Sequence, residues 1–282
     1  AIAVLTPVYG AFDTRANDAN RRIIAVPLHH TLTNGYAVDY DAFESAIWQN
    51  DVKVFIHCNP HNPMGHVWTE EEMDRLFSIC QRHNVLIISD EIHQDLITGS
   101  TPFTSALSVS SGHYADHMIT LSSVSKSFNM ASLHQAEVMI SNETLRAQYN
   151  DYKAQVYHTD ADVIAETAIT AAYTHPEAEA WLDDVCAVIR ENYEYLCDEL
   201  LSALPKLRIS PMDGTYLAWI DFGAYVKPEK MHDLFEHQCR IAPSFGEWFG
   251  GESYATFVRL NLATSLDNIK TTTNSIIKHI QP

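Results

Sequence analysis

The sequence lacks the features of several common protein classes. No apolar run approaches the ~20 residues that a membrane-spanning helix needs, and there is no closely spaced CxxC pair. Positive charge is scarce, because 18 Lys and Arg stand against 36 Asp and Glu, a formal net charge of −18. So acidic a surface repels nucleic-acid phosphates and anionic lipids, and we expect neither nucleic acid nor a membrane as a partner.

Cysteine is also scarce, with five scattered residues in a chain of 282. An odd number without a pairing framework is typical of reduced thiols and predicts a cytoplasmic protein. The N-terminal stretch AIAVLTPVYG is apolar but has neither a basic region nor a small-residue cleavage site. We interpret it as a strand entered partway rather than as a signal peptide.

Short apolar runs alternate with a helical pattern in the first half of the chain. Val52–Ile56, Val85–Ser89 and Met118–Leu121 are each typical of a buried strand. Between the first two runs, Thr69–Glu72 is a capping box that predicts a helix to about Arg82. This order of fully apolar strands and a helix predicts an α/β fold, with a mostly parallel sheet covered by helices on both faces.

The second half has a different pattern. Residues from about 161 to 204 have a helical pattern, interrupted near Pro176, which suits the first turn of a helix. The elements predicted after it are strands at Leu207–Ser210, Thr215–Phe222 and Thr256–Leu262 and helices at Pro228–Cys239 and up to about Ile280. We therefore predict a large domain at 1–160, connecting helices at 161–204 and a small C-terminal α+β domain at 205–282.

A polar segment follows each of the three predicted strands of the large domain. The segments are His57–Gly65 (HCNPHNPMG), Ser89–Asp95 (SDEIHQD) and Ser122–Phe128 (SSVSKSF). Each alone has an ordinary structural explanation, such as a rigid Asn-Pro turn. Because ligands of parallel sheets bind at the carboxyl ends of the strands, the three together indicate one functional site.

A metal centre is the alternative that these segments suggest. The candidate ligands are His57, His61 and His66 and, in the next segment, Glu91, His93 and Asp95. Neither an HExxH motif nor a Cys/His pair is present, and prolines place the first set in a loop. We therefore expect no metal ion.

As a set, these segments resemble the fold-type I pyridoxal-phosphate enzymes, the aspartate aminotransferase superfamily. The matching landmarks are Thr6–Tyr9, Asn59–Gly65, Asp90–Asp95, Ser123–Lys126 and Arg259–Asn261. The sequence motifs NPHNP, SDEIHxDL and SKSFNMA are most similar to those of the cystathionine β-lyase (C–S lyase) branch. The resemblance covers essentially the whole chain, and it implies pyridoxal 5'-phosphate as the cofactor, bound by the large domain.

The resemblance implies a role for each matching residue, first at the reactive centre. Lys126 matches the lysine that forms a Schiff base with the cofactor, and its freed amine is expected to move the proton on the substrate Cα. Asp90 matches the carboxylate that pairs with the pyridine nitrogen and keeps it protonated, which makes the ring an electron sink.

The resemblance also implies residues that hold the cofactor ring. Asn62 matches a donor to its phenolic oxygen, and His93 stands where many relatives have a Tyr with that duty. Tyr9 matches the aromatic residue that stacks on the ring. Asn62 and Tyr9 are also expected to contact the substrate.

Phosphate and substrate carboxylate have their own matching residues. Ser123 matches a phosphate ligand, and Ser125 is the second cofactor-binding serine beside the lysine. Arg259 matches the residue that binds the substrate α-carboxylate through a two-pronged contact, which suits a planar guanidinium.

Three features depart from the superfamily pattern. The chain starts just before the Tyr9 loop, whereas relatives have an upstream glycine-rich turn that binds phosphate at a helix N-terminus, so we expect a truncated member. His134 stands where many aminotransferases have Arg, and the lyase branch shares that difference. Met64 and Ser132 replace the usual Thr and Gly.

The leading functional prediction is a C–S β-lyase that cleaves cystathionine or a related cysteine S-conjugate to a thiol, pyruvate and ammonia. A class I/II aminotransferase is the alternative, because the same residues serve both reactions. An alternative of another class is a catalytically silent, truncated chain or interaction module. The resemblance further implies a homodimer that binds a small amino-acid substrate.

Overall fold

The computed structural model describes residues 1–156 and 162–280. The predicted boundary between the large domain and the connecting helices, at 160/161, lies outside the described residues. The strands are β1 Ile2–Thr6, β2 Ile23–Pro27, β3 His29–His30, β4 Tyr36–Ala37, β5 Val54–Cys58, β6 Leu86–Asp90, β7 Met118–Ser122, β8 Glu137–Met139, β9 Arg208–Ile209, β10 Leu217–Asp221, β11 Ser244–Phe245 and β12 Phe257–Asn261.

Helices follow most of these strands along the chain. They are α1 Ala11–Asp18, α2 Tyr40–Gln49, α3 Glu70–Arg82, α4 Val124–Ser127, α5 Glu143–Val156, α6 Val163–Thr174, α7 Pro176–Ala203, α8 Glu247–Gly250 and α9 Leu266–Ile280. Within the described part of the chain, none of the helices has the length and apolar character that crossing a membrane requires.

The larger sheet has six strands in the order β2-β1-β5-β6-β7-β8. All neighbours pair in parallel except β7 and β8, which are antiparallel. The predicted mostly parallel α/β fold is confirmed. Cys58 pairs with Asp90 and Asp90 with Leu121, so the carboxyl ends of β5, β6 and β7 lie at one edge of the sheet.

Local sequence explains the helix that covers this sheet. The capping box of α3 is complete, because Thr69 Oγ1 accepts from the Glu72 amide at 3.3 Å and Glu72 Oε2 accepts from the Thr69 amide at 2.9 Å. The helix ends at Arg82, as predicted. Its apolar side chains are buried in the main hydrophobic core: Met73, Leu76, Phe77, Ile79 and Cys80.

The second sheet is antiparallel, with the order β11-β12-β10-β9. The long helix α7 starts at Pro176, and the His175 side chain caps it by accepting from the Glu177 amide. Leu196 and Leu200 of α7 and Ile276 of α9 are fully buried in the core of this second unit. The interruption predicted near Pro176 and the last helix are thus confirmed.

Two details of the second unit differ from the prediction. The expected helix at Pro228–Cys239 is a short 3-10 turn followed by a π-helix at Asp233–Gln238. Trp219 of the small sheet donates a 2.9 Å hydrogen bond to the hydroxyl of Tyr36 and belongs to the main core. Because this core includes residues from both sheets, the division of the chain into three parts stays a prediction.

Candidate active site

One cavity lies at the carboxyl edge of the parallel sheet, and it has a volume of about 380 Å³. Its walls include Asn62, Asp90 and Lys126, which come from the three polar segments that follow β5, β6 and β7. The remaining predicted residues in its walls are Tyr9, His93 and Arg259. The structure therefore brings six of the eight predicted site residues to one space, as expected from the topology of parallel sheets.

Lys126 is held on a single-turn helix at the end of β7. The side chain of Ser123 caps α4 by accepting a hydrogen bond from the Ser125 amide at 3.1 Å. The positive charge of Lys126 is close enough to Asp90 to stabilise that carboxylate. Lys126 and Asp90 also line the same cavity.

Asp90 is the last residue of β6 and is only partly accessible, from the cavity. Burial raises the pKa of its carboxyl group to about 6, while the Ile92 amide, which donates to Oδ1 at 3.2 Å, and the charge of Lys126 act in the opposite direction. When burial has raised the pKa of a carboxyl group in this way, a cationic partner strongly stabilises its ionised form.

His93 is buried against the same cavity. Burial, together with the charges of Lys126 and Arg259, lowers the pKa of its imidazole to about 3, so the ring is neutral. Its Nδ1 atom is buried without a hydrogen-bond partner among the described residues. The ring contacts Tyr216 edge-to-face, with 5.6 Å between centroids. A neutral imidazole with one unused nitrogen can bind a polar ligand atom.

Arg259 projects from β12 and is held on three sides. Nη1 donates to Asn62 Oδ1 at 2.9 Å, and Nη2 donates to Ser244 Oγ at 3.0 Å. Its guanidinium also lies 4.8 Å from the centre of the Phe249 ring, within the range of a cation–π contact. Burial lowers the pKa of Arg259, whose charge makes it a binding site for a carboxylate.

Tyr9 is oriented by two aromatic neighbours. Its ring contacts Trp248 and Phe12 edge-to-face, at centroid distances of 5.0 Å and 5.8 Å. Such contacts fix the plane of the ring at the cavity wall. A stacking role for Tyr9 remains a prediction.

The two serines predicted to bind the cofactor are differently placed. The hydroxyl of Ser123 lies 2.7 Å from both Ser125 Oγ and the Gln135 carbonyl oxygen, and its residue is not in the walls of the Lys126–Asp90 cavity. Ser125 lines a neighbouring cavity instead. The contact of Ser123 with phosphate and the cofactor-binding role of Ser125 stay predictions.

Asp95 connects the segment that carries Lys126 (Ser122–Phe128, the lysine segment) to a neighbouring helix. One carboxylate oxygen, Oδ2, accepts from Ser127 Oγ at 2.7 Å and from the Tyr173 hydroxyl at 3.0 Å. Phe128 adds a stacked contact with Trp181, at 5.8 Å between centroids. The segment that carries Lys126 is thus fixed to α6 and α7.

Sequence reasoning missed several residues of the cavity wall. Tyr216 precedes β10 and lines the cavity beside Lys126, and Ser244 supports Arg259. Cys58 also lines it, and burial raises the pKa of the Cys58 thiol, which stays protonated. None of the three lies in a recognisable motif, although Cys58 belongs to the first polar segment and its strand-end position could have drawn attention to it.

These residues fit pyridoxal phosphate by the character of their donors. The cavity joins an amine, a carboxyl group whose pKa burial has raised, an amide, and a buried imidazole nitrogen to which no described residue is hydrogen-bonded. The cofactor would use each of them: an aldehyde for Lys126, a pyridine nitrogen for Asp90 and a phenolic oxygen for Asn62 or His93. In the described ranges, no group of three His, Cys, Asp or Glu side chains is arranged to hold a metal ion.

Known proteins are similar to this chain over nearly its full length. Residues 1–276 match the model of the aminotransferase class I and II family. Cystathionine beta-lyase PatB of Bacillus subtilis (strain 168) is 32% identical over 275 residues, which are 95% of this chain and 68% of that protein. The chain spans about two thirds of the length of the curated relatives it matches.

Two solved structures are also similar. Cystalysin from Treponema denticola, whose crystal structure contains a pyridoxal 5'-phosphate cofactor, superposes with a TM-score of 0.93 at 27% identity, covering 99% of this chain and 70% of that chain. The pyridoxal-phosphate-bound C–S lyase from Staphylococcus hominis has a TM-score of 0.91 at 28% identity, covering 100% and 70%. The predicted fold and cofactor class are confirmed, and the chain belongs to the aminotransferase class I and II family of fold-type I, pyridoxal-phosphate-dependent enzymes.

Proposed function

We propose that this chain is a pyridoxal-phosphate-dependent C–S β-lyase that acts on cystathionine or a related cysteine S-conjugate. The observation that carries the proposal is that Lys126 and Asp90 line one cavity, together with an Arg259 already held by Asn62. The similarity to a cystathionine β-lyase and to a C–S lyase supports the reaction type.

The reaction consumes one water and breaks the bond between Cβ and sulfur. A cysteine S-conjugate and water yield a thiol, pyruvate and ammonia, with no net oxidation or reduction. When bound, pyridoxal phosphate supplies an aromatic ring that delocalises the electron pair left on Cα after its proton is removed.

The chain's own residues have distinct parts in this reaction. Arg259 binds the α-carboxylate, because its guanidinium lies in the cavity wall and keeps donors beyond those used by Asn62 and Ser244. Lys126 takes the proton from Cα as a neutral amine. Asp90 would hold the protonated ring nitrogen of the cofactor and be ionised there, since a cation beside it lowers the pKa that burial has raised.

A class I/II aminotransferase is the second candidate, and the family model that matches the chain supports it. The two candidates are separated by supplying pyridoxal phosphate and cystathionine and measuring pyruvate and ammonia, with and without an added keto acid. The lyase releases pyruvate and ammonia without the keto acid, whereas an aminotransferase releases neither and converts the added keto acid into its amino acid. Lys126→Ala is the matched variant, and we expect it to release neither product.

A silent chain would give a different result again. It would develop no cofactor absorbance near the visible edge and release no pyruvate under either condition. Such a result, in a chain whose secondary structure is intact by circular dichroism, would contradict the lyase and the aminotransferase alike.

We also propose a homodimer in the cytoplasm. The 14-residue helix α5 buries none of its side chains, and the next helix exposes Val163 by 73% and Ile164 by 71%. Exposed apolar surface of this kind supports a protein–protein contact. Sedimentation should give the mass of a dimer, and Ile164→Asp should weaken it; a monomer at micromolar concentration would contradict the proposal.

The cytoplasm is supported by five cysteines that are all free.

A further inference from the structure

A second cavity, here called the groove, adjoins the candidate active site. The groove has a volume of about 490 Å³ and lies between the lysine segment, helix α7 and the residues that follow β12. It shares Lys126, Tyr216 and Asn261 with the walls of the first cavity. A molecule bound at Arg259 and Lys126 therefore lies beside residues that also line the groove.

One wall of the groove is an apolar face of α7. Trp181, Val185 and Val188 lie at a spacing of four and three residues, which places them on the same side of the helix. Trp181 and Val188 each remain 46% exposed. Leu96 closes the wall from the segment after β6 and is fully buried.

The charge of the groove is unbalanced. Lys126, at the junction with the first cavity, is the only cationic side chain in its described walls, and the only carboxylate is Asp184. Cystathionine has a second ammonium and a second carboxylate at its far end. The groove offers Asp184 to the ammonium but offers no Arg or further Lys to the carboxylate, which would lie beside the apolar wall without a cationic partner.

We propose that the groove binds the sulfur substituent of the substrate, and that the preferred substrates are cysteine conjugates with an uncharged, apolar aliphatic or aryl group. This rests on the proposed lyase function, since it assigns the α-carboxylate to Arg259 and the reacting Cα to Lys126. An apolar cavity of roughly 150 Å³ is enough for a benzene ring, so the groove has room for a benzyl or hexyl group.

The first experiment uses the full chain with pyridoxal phosphate. It compares the turnover of S-methyl-L-cysteine, S-benzyl-L-cysteine and L-cystathionine. Each buried methylene raises affinity roughly fourfold, so we expect kcat/KM for S-benzyl-L-cysteine to exceed that for the other two by at least about tenfold. A preference for cystathionine would overturn the proposal.

Variants on α7 test the location of the subsite. Val188→Asp places a charge on the apolar wall and should reduce the benzyl-to-methyl ratio of kcat/KM by about tenfold. Ala187→Asp is the matched control, because Ala187 is exposed on the same helix and is not in the groove walls. Asp184→Lys should raise the relative kcat/KM for cystathionine. An unchanged ratio in Val188→Asp, with the fold intact, would overturn the proposal.

A binding measurement separates the groove from the reaction. S-benzyl-L-cysteine should bind to Lys126→Ala and quench the fluorescence of Trp181, which is the part of the signal that is lost in Trp181→Phe. Adding Val188→Asp should weaken that binding by about tenfold. Quenching without any pyruvate release from the unmodified chain would contradict the lyase but support the groove. Pyruvate release with no quenching and no effect of Val188→Asp would support the lyase and overturn the groove.

Discussion

The guanidinium of Arg259 donates a 2.9 Å hydrogen bond to the side-chain oxygen of Asn62, which lies 197 residues earlier in the chain. This bond joins the first polar segment of the parallel sheet to the antiparallel sheet. It also orients the Asn62 amide, because an oxygen turned to Arg259 leaves both N–H donors for another acceptor. One contact thus couples the residue proposed for the substrate carboxylate to the residue proposed for the cofactor oxygen.

Asn62→Ala tests that coupling. Loss of the acceptor frees Arg259 Nη1, and a hydrogen bond to a charged group contributes about 1.5–3 kcal/mol, so KM for the amino-acid substrate should rise about tenfold or more. The measurement is a double-mutant cycle with Arg259→Lys, scored by KM. We expect the two effects to be non-additive by at least about 0.5 kcal/mol; simple additivity would show that the contact does not link the two roles.

Asp95→Ala tests how the lysine segment is held. Removing the carboxylate leaves both Ser127 and Tyr173 without the oxygen to which they donate. Hydrogen exchange of the amides in 124–128 should become faster, and kcat should fall more than KM changes, because the position of Lys126 is less defined. Tyr173→Phe removes only one donor and is the milder control. Equal exchange rates in all three proteins would contradict the proposed anchoring.

Asp90→Asn tests the electrostatic state of the cavity without added cofactor. Because burial raises the Asp90 pKa from 3.8 to about 6, the folded chain binds that proton more tightly than the unfolded chain. The contribution of the Asp90 carboxyl group to the free energy of unfolding is therefore greatest below pH 4, and it declines as the pH rises to about 6.

The variant should be more stable than the parent at pH 7, by about 1–3 kcal/mol, and no more stable at pH 4. Urea unfolding at both pH values measures the difference. Asp151→Asn, on the exposed face of α5, is the control and should show no such pH dependence. Equal stability of Asp90→Asn and the parent at pH 7 would mean that Asp90 is not desolvated.

His57→Leu tests a buried imidazole outside the cavity. Both ring nitrogens of His57 lack hydrogen-bond partners in the part of the chain that the structure describes. Burial lowers its pKa from 6.5 to about 3, so its charge is excluded from the fold. Its contribution to stability is complete above pH 6.5 and is lost as the pH falls towards 3. Between pH 7 and pH 5, the unfolding free energy of the variant should therefore rise by about 2 kcal/mol relative to that of the parent.

Thermal or urea unfolding at pH 7 and pH 5 gives that comparison. His237→Leu, at an exposed position of the π-helix, is the control. Parallel pH profiles for the parent and His57→Leu would show that protonation of His57 does not limit acid stability.

The meeting of Lys126, Asp90 and Asn62 at one cavity could be predicted from the sequence because it depends on local patterns. Lys126, Asp90 and Asn62 each follow an apolar run, and the rule for parallel sheets places such residues at one edge. Tyr216 and Trp181 could not be predicted, since only the packing of α7 and β10 brings them to Lys126. Helix α5 was also missed, because it buries no side chain and so has no apolar face to give it a helical period.

The serines show the limit of assignment by position. Ser123 is predicted to contact phosphate, and its hydroxyl also caps α4 in the structure, so the phosphate contact stays a prediction. A short serine-rich segment can satisfy its own amides or bind a ligand, and the sequence does not distinguish the two.

The central claim is that Lys126 is the amine to which the cofactor binds, and covalent labelling tests it most directly. The chain is mixed with pyridoxal phosphate, reduced with borohydride and mapped by peptide mass, with Lys126→Ala and Lys153→Ala treated alike. The account predicts a single reduced adduct on Lys126, unchanged in Lys153→Ala and lost in Lys126→Ala. An adduct on another lysine of the unmodified chain, or none on Lys126, would contradict it.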